Sequence, residues 1–254
     1  MPRFYELLSN VLAEAQPFAL AIISGIKGSS PQKQGAKAIF LPDGRIFGTL
    51  GGGCLEAEIQ DRARRALLSQ QPAVFDLVLD HDFGWDDGLI CGGRVNGVIL
   101  PRAAEAADLW RELNRCDRPM SWGVREDYSI ARVENEQTDH WLYTETVLPP
   151  CPLWIAGSGH VAQAVAPLAL QLDFAVTVFD DRPALANTEF FPTGTQFRVG
   201  FWESLLEASL STTPSFGLIV TRGHQHDAMV LRQWVHQPFV FLGMIGSRRK
   251  RRLI

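Results

Sequence analysis

No stretch of the 254-residue chain reaches the ~18 consecutive apolar residues that a membrane helix needs. The apolar run at residues 18–23 is also too short for a secretory core. It follows a segment carrying Glu6 and Glu14, and it has no small-x-small cleavage site. Cysteine is scarce, with four in all and none in a CxxC pair, which points away from a disulfide framework and toward a reducing compartment. Excess positive charge is lacking too. The formal net charge of −4 argues against nucleic-acid binding as the main task. The expectation is a cytoplasmic protein with neither a membrane nor a nucleic acid as partner.

What is present is an ordinary globular balance. Apolar residues at 46% and charged residues at 20% exclude wholesale disorder. The length suggests about 1.7 domains, so one large or two small ones. One local departure is the run Arg248, Arg249, Lys250, Arg251 and Arg252, five consecutive bases near the end of the sequence.

Phe4, Leu7, Leu8, Val11, Leu12 and Ala15 recur at helical spacing, and Pro17 ends that helix. A buried strand is expected at 18–24, then a loop rich in Gly, Ser and Pro at 25–36. Strands at 38–41 and 45–47 flank Asp43-Gly44, the strongest short hairpin signal. A helix from the glycine run at 51–53 to about Leu68 follows, then strands at 73–79 and 94–100, and a helix at about 102–115. Residues 120–145 read as a meander of short strands.

The Pro-dense stretch at 148–152 is stiff and marks a boundary. Beyond it the rhythm changes to strand–helix alternation, with strands at 153–156, 175–179, 195–199, 216–220 and 239–243. The expected architecture is α/β. A small N-terminal α+β domain (1–147) carries glycine-flanked cysteines, and a Rossmann-like, doubly wound parallel sheet forms the second domain (153–254).

Five motifs carry candidate chemistry. Gly157-Ser158-Gly159-His160-Val161-Ala162 follows a strand and opens a helix, so its backbone can approach a phosphate at a helix N-terminus. Asp180 supplies the acid expected about 20 residues on. His160 stands where it can reach a ligand anion. The bland reading is a glycine-rich turn without a nucleotide. Gly51-Gly52-Gly53-Cys54 can form a nest of N–H groups, with a thiol at a helix N-terminus where thiolate is favoured. A tight turn before an inert buried cysteine is the equal alternative.

Cys91-Gly92-Gly93 repeats the pairing of a thiol with flexible glycines. It follows Asp80, His81, Asp82, Asp86 and Asp87, which lack calcium-loop spacing and read as a solvated acidic loop. His224-Gln225-His226-Asp227 lies just past a strand end, able to hold a metal or carry protons, or else to have Asp227 cap a helix. Gly246-Ser247 and the five bases begin another helix whose charge calls for an anion.

These motifs resemble the xanthine dehydrogenase accessory proteins, the XdhC/CoxI family. The resemblance rests on Gly28-Ser29-Ser30-Pro31, the block from Gly48 to Glu56, and Cys91-Gly92-Gly93. It continues through Gly157-Ser158-Gly159-His160-Val161, Asp180-Asp181-Arg182-Pro183, Thr221-Arg222-Gly223-His224 and the segment from Gly243 to Lys250.

It implies a maturation factor rather than a metabolic enzyme. Such a protein binds the molybdenum cofactor in its molybdopterin form, keeps its sulfurated form intact, and delivers it to a molybdenum hydroxylase such as xanthine dehydrogenase. A cysteine desulfurase and a second copy of the chain are the further partners it suggests. Cys54 and Cys91 become candidate molybdenum ligands or sulfur-handling groups. Gly51, Gly52, Gly53, Gly157, Gly159, His160, Asp180, His224 and His226 become cofactor contacts, with Asp180 bonding a hydroxyl or a pterin edge. Family chains run on past the Ser-Arg-Arg-Lys segment, so the second domain is expected to be shortened at Ile254. The competing expectation, from the glycine turn and Asp180 alone, is an NAD(P)-dependent oxidoreductase.

Overall fold

The computed structural model describes residues 4–79, 92–134, 140–207 and 214–247. It divides between Pro149 and Pro150 into two compact units. Among the described residues no helix is long and apolar enough to cross a membrane.

The first unit opens with α1 (Phe4–Ala13), whose buried Tyr5, Leu8 and Val11 lie three residues apart on one face. Next comes a five-stranded antiparallel sheet in the order β3-β2-β1-β5-β4. Its strands are β1 (Ala19–Lys27), β2 (Lys37–Phe40), β3 (Ile46–Gly48), β4 (Ala73–Val78) and β5 (Arg94–Leu100). The central strand β1 is covered on both faces, hence its unbroken apolar run. Leu20 and Ile22 pack toward α1 and α3 (Ala107–Asn114), while Ala19, Ala21 and Ile23 pack toward α2 (Gly53–Ser69). The hairpin turn falls at Asp43-Gly44, where Gly44 has φ +91° and Asp43 accepts the Arg45 amide at 3.0 Å.

Three details differ from expectation. β1 runs on to Lys27 across an irregularity between Ile23 and Gly25, because β5 continues to pair with it where β2 has stopped. The expected helix over 102–115 splits into a 3-10 turn (Ala103–Ala106) and α3. The buried Trp110 indole N–H donates to the Ala103 carbonyl at 2.7 Å, and the Ala107 amide bonds the Ala104 carbonyl instead. Residues 120–147 are not a meander: the order is β7-β6-β8, from β6 (Met120–Arg125), β7 (Ile130–Arg132) and β8 (Trp141–Val147). β6, which has the most buried apolar residues (Met120, Trp122 and Val124), takes the centre.

The second unit is a five-stranded parallel sheet ordered β11-β10-β9-β12-β13. It comprises β9 (Cys151–Ala156), β10 (Phe174–Asp180), β11 (Gln196–Val199), β12 (Ser215–Ile219) and β13 (Phe239–Met244). Ile155, Val176 and Val178 face α4 (His160–Gln171), and Ala156, Phe179 and Ile219 face α5 (Trp202–Glu207) and α6 (His224–Trp234). Helices therefore cover both faces, and the chain reverses direction across the sheet at β9. That is the doubly wound Rossmann arrangement, whose ligand crevice opens at the carboxyl ends of the strands flanking the reversal.

Candidate functional site

In the first unit three motifs distant in sequence converge. Gly51, Gly52 and Gly53 have φ of +122°, +75° and +58°, a succession that residues with a Cβ rarely adopt. A Cβ at Gly52 or Gly53 would meet nothing within 4 Å, so these two are needed for backbone shape rather than for room. A Cβ on Gly51 would press on Pro31, 3.0 Å away. Three residues before Pro31 begins the 28–31 loop, where Ser29 bridges Gly92; any Cβ on Gly93 would land on the Ser29 carbonyl. Paired Leu79 and Gly93 close this end of the sheet through the Leu79 amide to the Gly93 carbonyl at 2.7 Å. Cys54, half-buried and unbridged, is the second residue of α2. Cys91, the acid-rich stretch around His81, and the five bases at 248–252 lie outside the described residues.

The nest of amides is filled by the protein itself. Glu56 Oε1 accepts from the Thr49 hydroxyl (2.5 Å), the Leu50 amide (2.8 Å) and the Gly52 amide (3.0 Å). The Thr49 hydroxyl oxygen in turn accepts the Gly51 amide at 3.1 Å. Burial raises the Glu56 pKa, but these donors outweigh it and hold the carboxyl below its ordinary range. Below the loop, the Lys37 carbonyl accepts the Thr49 amide at 3.2 Å, so β2 is its floor.

In the second unit the turn after β9 sits at the reversal of strand order. Gly157 has φ +110°, donates to the Phe179 carbonyl at 2.7 Å, and would drive a Cβ to 2.5 Å from the Val220 carbonyl oxygen. Gly159 begins α4 beside open space, and the exposed His160 is the helix's first residue. Ala162 is fully buried between α4 and the sheet, as the third small position requires. The neighbouring segment Thr221-Arg222-Gly223-His224 follows β12, and Gly223 likewise faces open space.

Asp180 is the centre of this edge, 1% exposed at the tip of β10. Its Oδ2 accepts from the Ser158 amide (2.7 Å), the Ser158 hydroxyl (2.8 Å) and Arg182 Nη2 (2.8 Å). Its Oδ1 accepts from the Arg182 amide (2.9 Å) and Arg182 Nε (2.8 Å). Burial works to raise this carboxyl's pKa; the Arg182 fork and the Ser158 donors overcome it and hold it at about 2. Asp181 pairs with Arg222 at 2.9 Å and with Arg182 at 3.8 Å.

The His-x-His-Asp motif does not assemble as one cluster. His224 is exposed, His226 tilts against the Trp202 ring at 5.7 Å, and the buried Asp227 accepts the Thr221 hydroxyl at 2.7 Å. Asp227 fastens the loop rather than capping α6, whose cap is Gly223 with no side-chain bond. Among the described residues no three His, Cys, Asp or Glu side chains gather as a metal would need. Gly51–Cys54 belong to the first unit; Gly157, Gly159, His160, Asp180, His224 and His226 belong to the second.

Sequence reasoning quoted Glu56, Ser158, Arg182 and Arg222 within motifs but gave none of them a part in holding these loops. Ser158 sits inside the glycine turn, Arg182 follows Asp180 by two, and Glu56 follows Cys54 by two. Those short spacings were the available signal.

The XdhC and CoxI family model matches residues 11–82, and the XdhC Rossmann domain model matches residues 153–254. A probable xanthine dehydrogenase subunit of Bacillus subtilis (strain 168) is 24% identical over 288 residues, covering 100% of this chain and 87% of that protein. The molybdenum cofactor insertion chaperone PaoD of Escherichia coli (strain K12) is 28% identical over 195 residues, 71% of this chain and 58% of its own length. YqeB of Escherichia coli (strain K12), uncharacterised, is 26% identical over 235 residues, 92% of this chain and 35% of its own length. The chain thus spans about a third of YqeB and under two thirds of PaoD. The crystal structure of a xanthine dehydrogenase from Bacillus halodurans superposes with a TM-score of 0.84 at 23% identity, over 97% of this chain and 83% of that one, and so shares the fold. With one family's models matching in both units, the chain belongs to the XdhC and CoxI family, and its second unit is an XdhC Rossmann domain.

Proposed function

We propose that this protein is a maturation factor that carries the molybdenum cofactor to a molybdenum hydroxylase of the xanthine dehydrogenase kind. The observation that supports this most is the carboxyl edge of the parallel sheet. There α4 opens at Gly159 and His160, α6 opens at Gly223 and His224, and a Cβ on either glycine would meet nothing within 4 Å. Backbone amides, a helix N-terminus and imidazoles form a donor set suited to a phosphate. The amides that open α4 beyond Gly159, with His160 and His224, would hold the phosphate group of the cargo.

In the first unit, Cys54 and Cys91 are the thiols that would handle molybdenum or sulfur. Thiolates are soft ligands, fitting molybdenum and sulfur better than carboxylates do. Thiolate chemistry of that kind would protect the cargo's sulfurated form until transfer. The names of the Bacillus subtilis and PaoD relatives support the accessory role, and the hydroxylase is the client they suggest. A cysteine desulfurase as sulfur source and a homodimer belong to the same proposal.

The test is transfer. Apo-hydroxylase is mixed with cofactor-loaded protein, and separately with the same quantity of free cofactor. Faster and fuller appearance of hydroxylase activity with the loaded protein, lost when Cys54 and Cys91 are both changed to Ala, supports the proposal. Equal activation by free cofactor would remove the delivery role, and unchanged transfer by the double variant would remove the thiols from it.

A further inference from the structure

We infer that Asp180 is a positioning residue that closes this Rossmann turn to dinucleotides read through their ribose, leaving it to ligands held by a phosphate group alone. The inference rests on the turn being the ligand site proposed above, and it deepens that reading by naming the ligand class.

In a dinucleotide-binding Rossmann domain, the acid at the tip of the second strand accepts two hydroxyl protons from a ribose diol. An ionised carboxylate has about four acceptor sites. Here Asp180 already receives five donors, two from Ser158 and three from Arg182. It is also 1% exposed, so a ribose would have to displace these donors before reaching it. The donors are not casual. Ser158 is itself fully buried, so losing Asp180 would strand its amide and hydroxyl away from water. Arg182 makes a two-pronged fork through Nε and Nη2, the stronger geometry for an arginine and a carboxylate.

The same bonds give Asp180 a different task. The Ser158 amide lies between Gly157 and Gly159, so tying it to β10 fixes the turn against the neighbouring strand. Gly157 is held from the same strand, by the Phe179 carbonyl one residue before Asp180. Gln163 adds a bond from α4 to the Ser158 carbonyl at 3.0 Å. Every polar group of Ser158 is therefore used to shape the turn, and none is left to a ligand. What remains for a ligand is the amide end of α4 beyond Gly159, with His160 and His224. Those groups suit a phosphate and include no carboxylate free to grip a ribose diol. A cofactor carried as a phosphomonoester fits; NADH does not.

Titration with NADH, followed by its fluorescence, tests this without any molybdenum cofactor. The wild-type chain is expected to show no saturable binding up to about 1 mM. Arg182→Ala uncovers two of the carboxylate's sites and is expected to bring NADH affinity up by at least about tenfold over wild type. Arg182→Lys, which keeps a cation beside Asp180, returns toward wild type. Circular dichroism and thermal melting of each variant establish that it is folded, and a purely structural role for Arg182 would move the melt without creating NADH binding. Micromolar binding of NADH by the wild type, or a folded Arg182→Ala with no gain, overturns the inference. Failure of the transfer assay with the wild type still blind to NADH would instead overturn the cargo reading and leave this one standing.

Discussion

The glycine loop of the first unit stands on a buried ion pair whose two halves are unequal, and removing each should have unequal consequences. Glu145 Oε2 accepts from Lys37 Nζ at 2.6 Å, from the Tyr143 hydroxyl at 3.0 Å and from the Tyr5 hydroxyl at 3.2 Å. The Lys37 side chain is 7% exposed and the Glu145 side chain 27%. Burial pulls the Lys37 pKa down, and Glu145 pushes it back without fully restoring it. Beyond that carboxylate, the ammonium has the Gly35 carbonyl at 2.8 Å and the Phe4 ring at 5.6 Å.

Glu145→Gln leaves a buried ammonium with no counter-charge, a change that costs about 3–5 kcal/mol. Lys37→Met keeps an unbranched stem on the Phe4 and Tyr5 rings, while Glu145 retains both tyrosine hydroxyls and reaches water. Its cost is about 1 kcal/mol. The double variant should then lie well below the sum, with a coupling of about 2–3 kcal/mol. Urea unfolding followed by tryptophan fluorescence reads this, fitted with separate transitions because the two units need not unfold together. At a slope of about 2 kcal/mol per molar, Glu145→Gln moves the midpoint of the first unit by about 2 M. Equal costs for the two single changes, or an additive double variant, would refute the reasoning. Since the Lys37 carbonyl carries Thr49, Glu145→Gln should also weaken cofactor retention.

Glycine substitutions separate backbone shape from close approach. Gly93→Ala places a methyl on the Ser29 carbonyl and must displace the 28–31 loop, whereas Gly52→Ala meets nothing and pays only for its φ of +75°, about 1–2 kcal/mol. Thermal melts should therefore fall further for Gly93→Ala. Gly157→Ala, aimed at the Val220 carbonyl 2.5 Å away, should abolish cofactor retention at a temperature where the chain is still folded, measured by metal content after desalting. The Asp180 carboxyl falls from its ordinary 3.8 to about 2 on folding. Because the folded value is depressed, its stabilisation of about 2 kcal/mol is complete above about pH 5 and is lost as the pH drops through about 2. Asp180→Asn should lack that acid limb in a plot of stability against pH.

Much of the fold was written in spacing. The start of α2 at the glycine run, the Asp43-Gly44 hairpin and the strand–turn–helix at Gly157 each rest on a local pattern with one physical meaning. The misread elements have a common cause. β1 extends past Ser24 because a partner strand 70 residues away keeps pairing with Gly25, Ile26 and Lys27, and no local signal announces that partner. The central place of β6 is likewise set by packing of Trp122 on Trp110, with ring centroids 4.8 Å apart. At the site, the glycines and Asp180 were legible by type. The partners of Asp180 were not, because a carboxylate at a strand tip bonds whichever donors the fold brings to it. Glu56 was hidden for the same reason: a glycine nest reads as an anion site, and the anion can come from the chain itself.

The most direct measurement of the central claim is the molybdenum and pterin content of the protein after anaerobic incubation with released cofactor and desalting. Molybdenum and pterin retained together, each equimolar with the chain, is the result the account predicts. A folded protein that emerges with neither would contradict it.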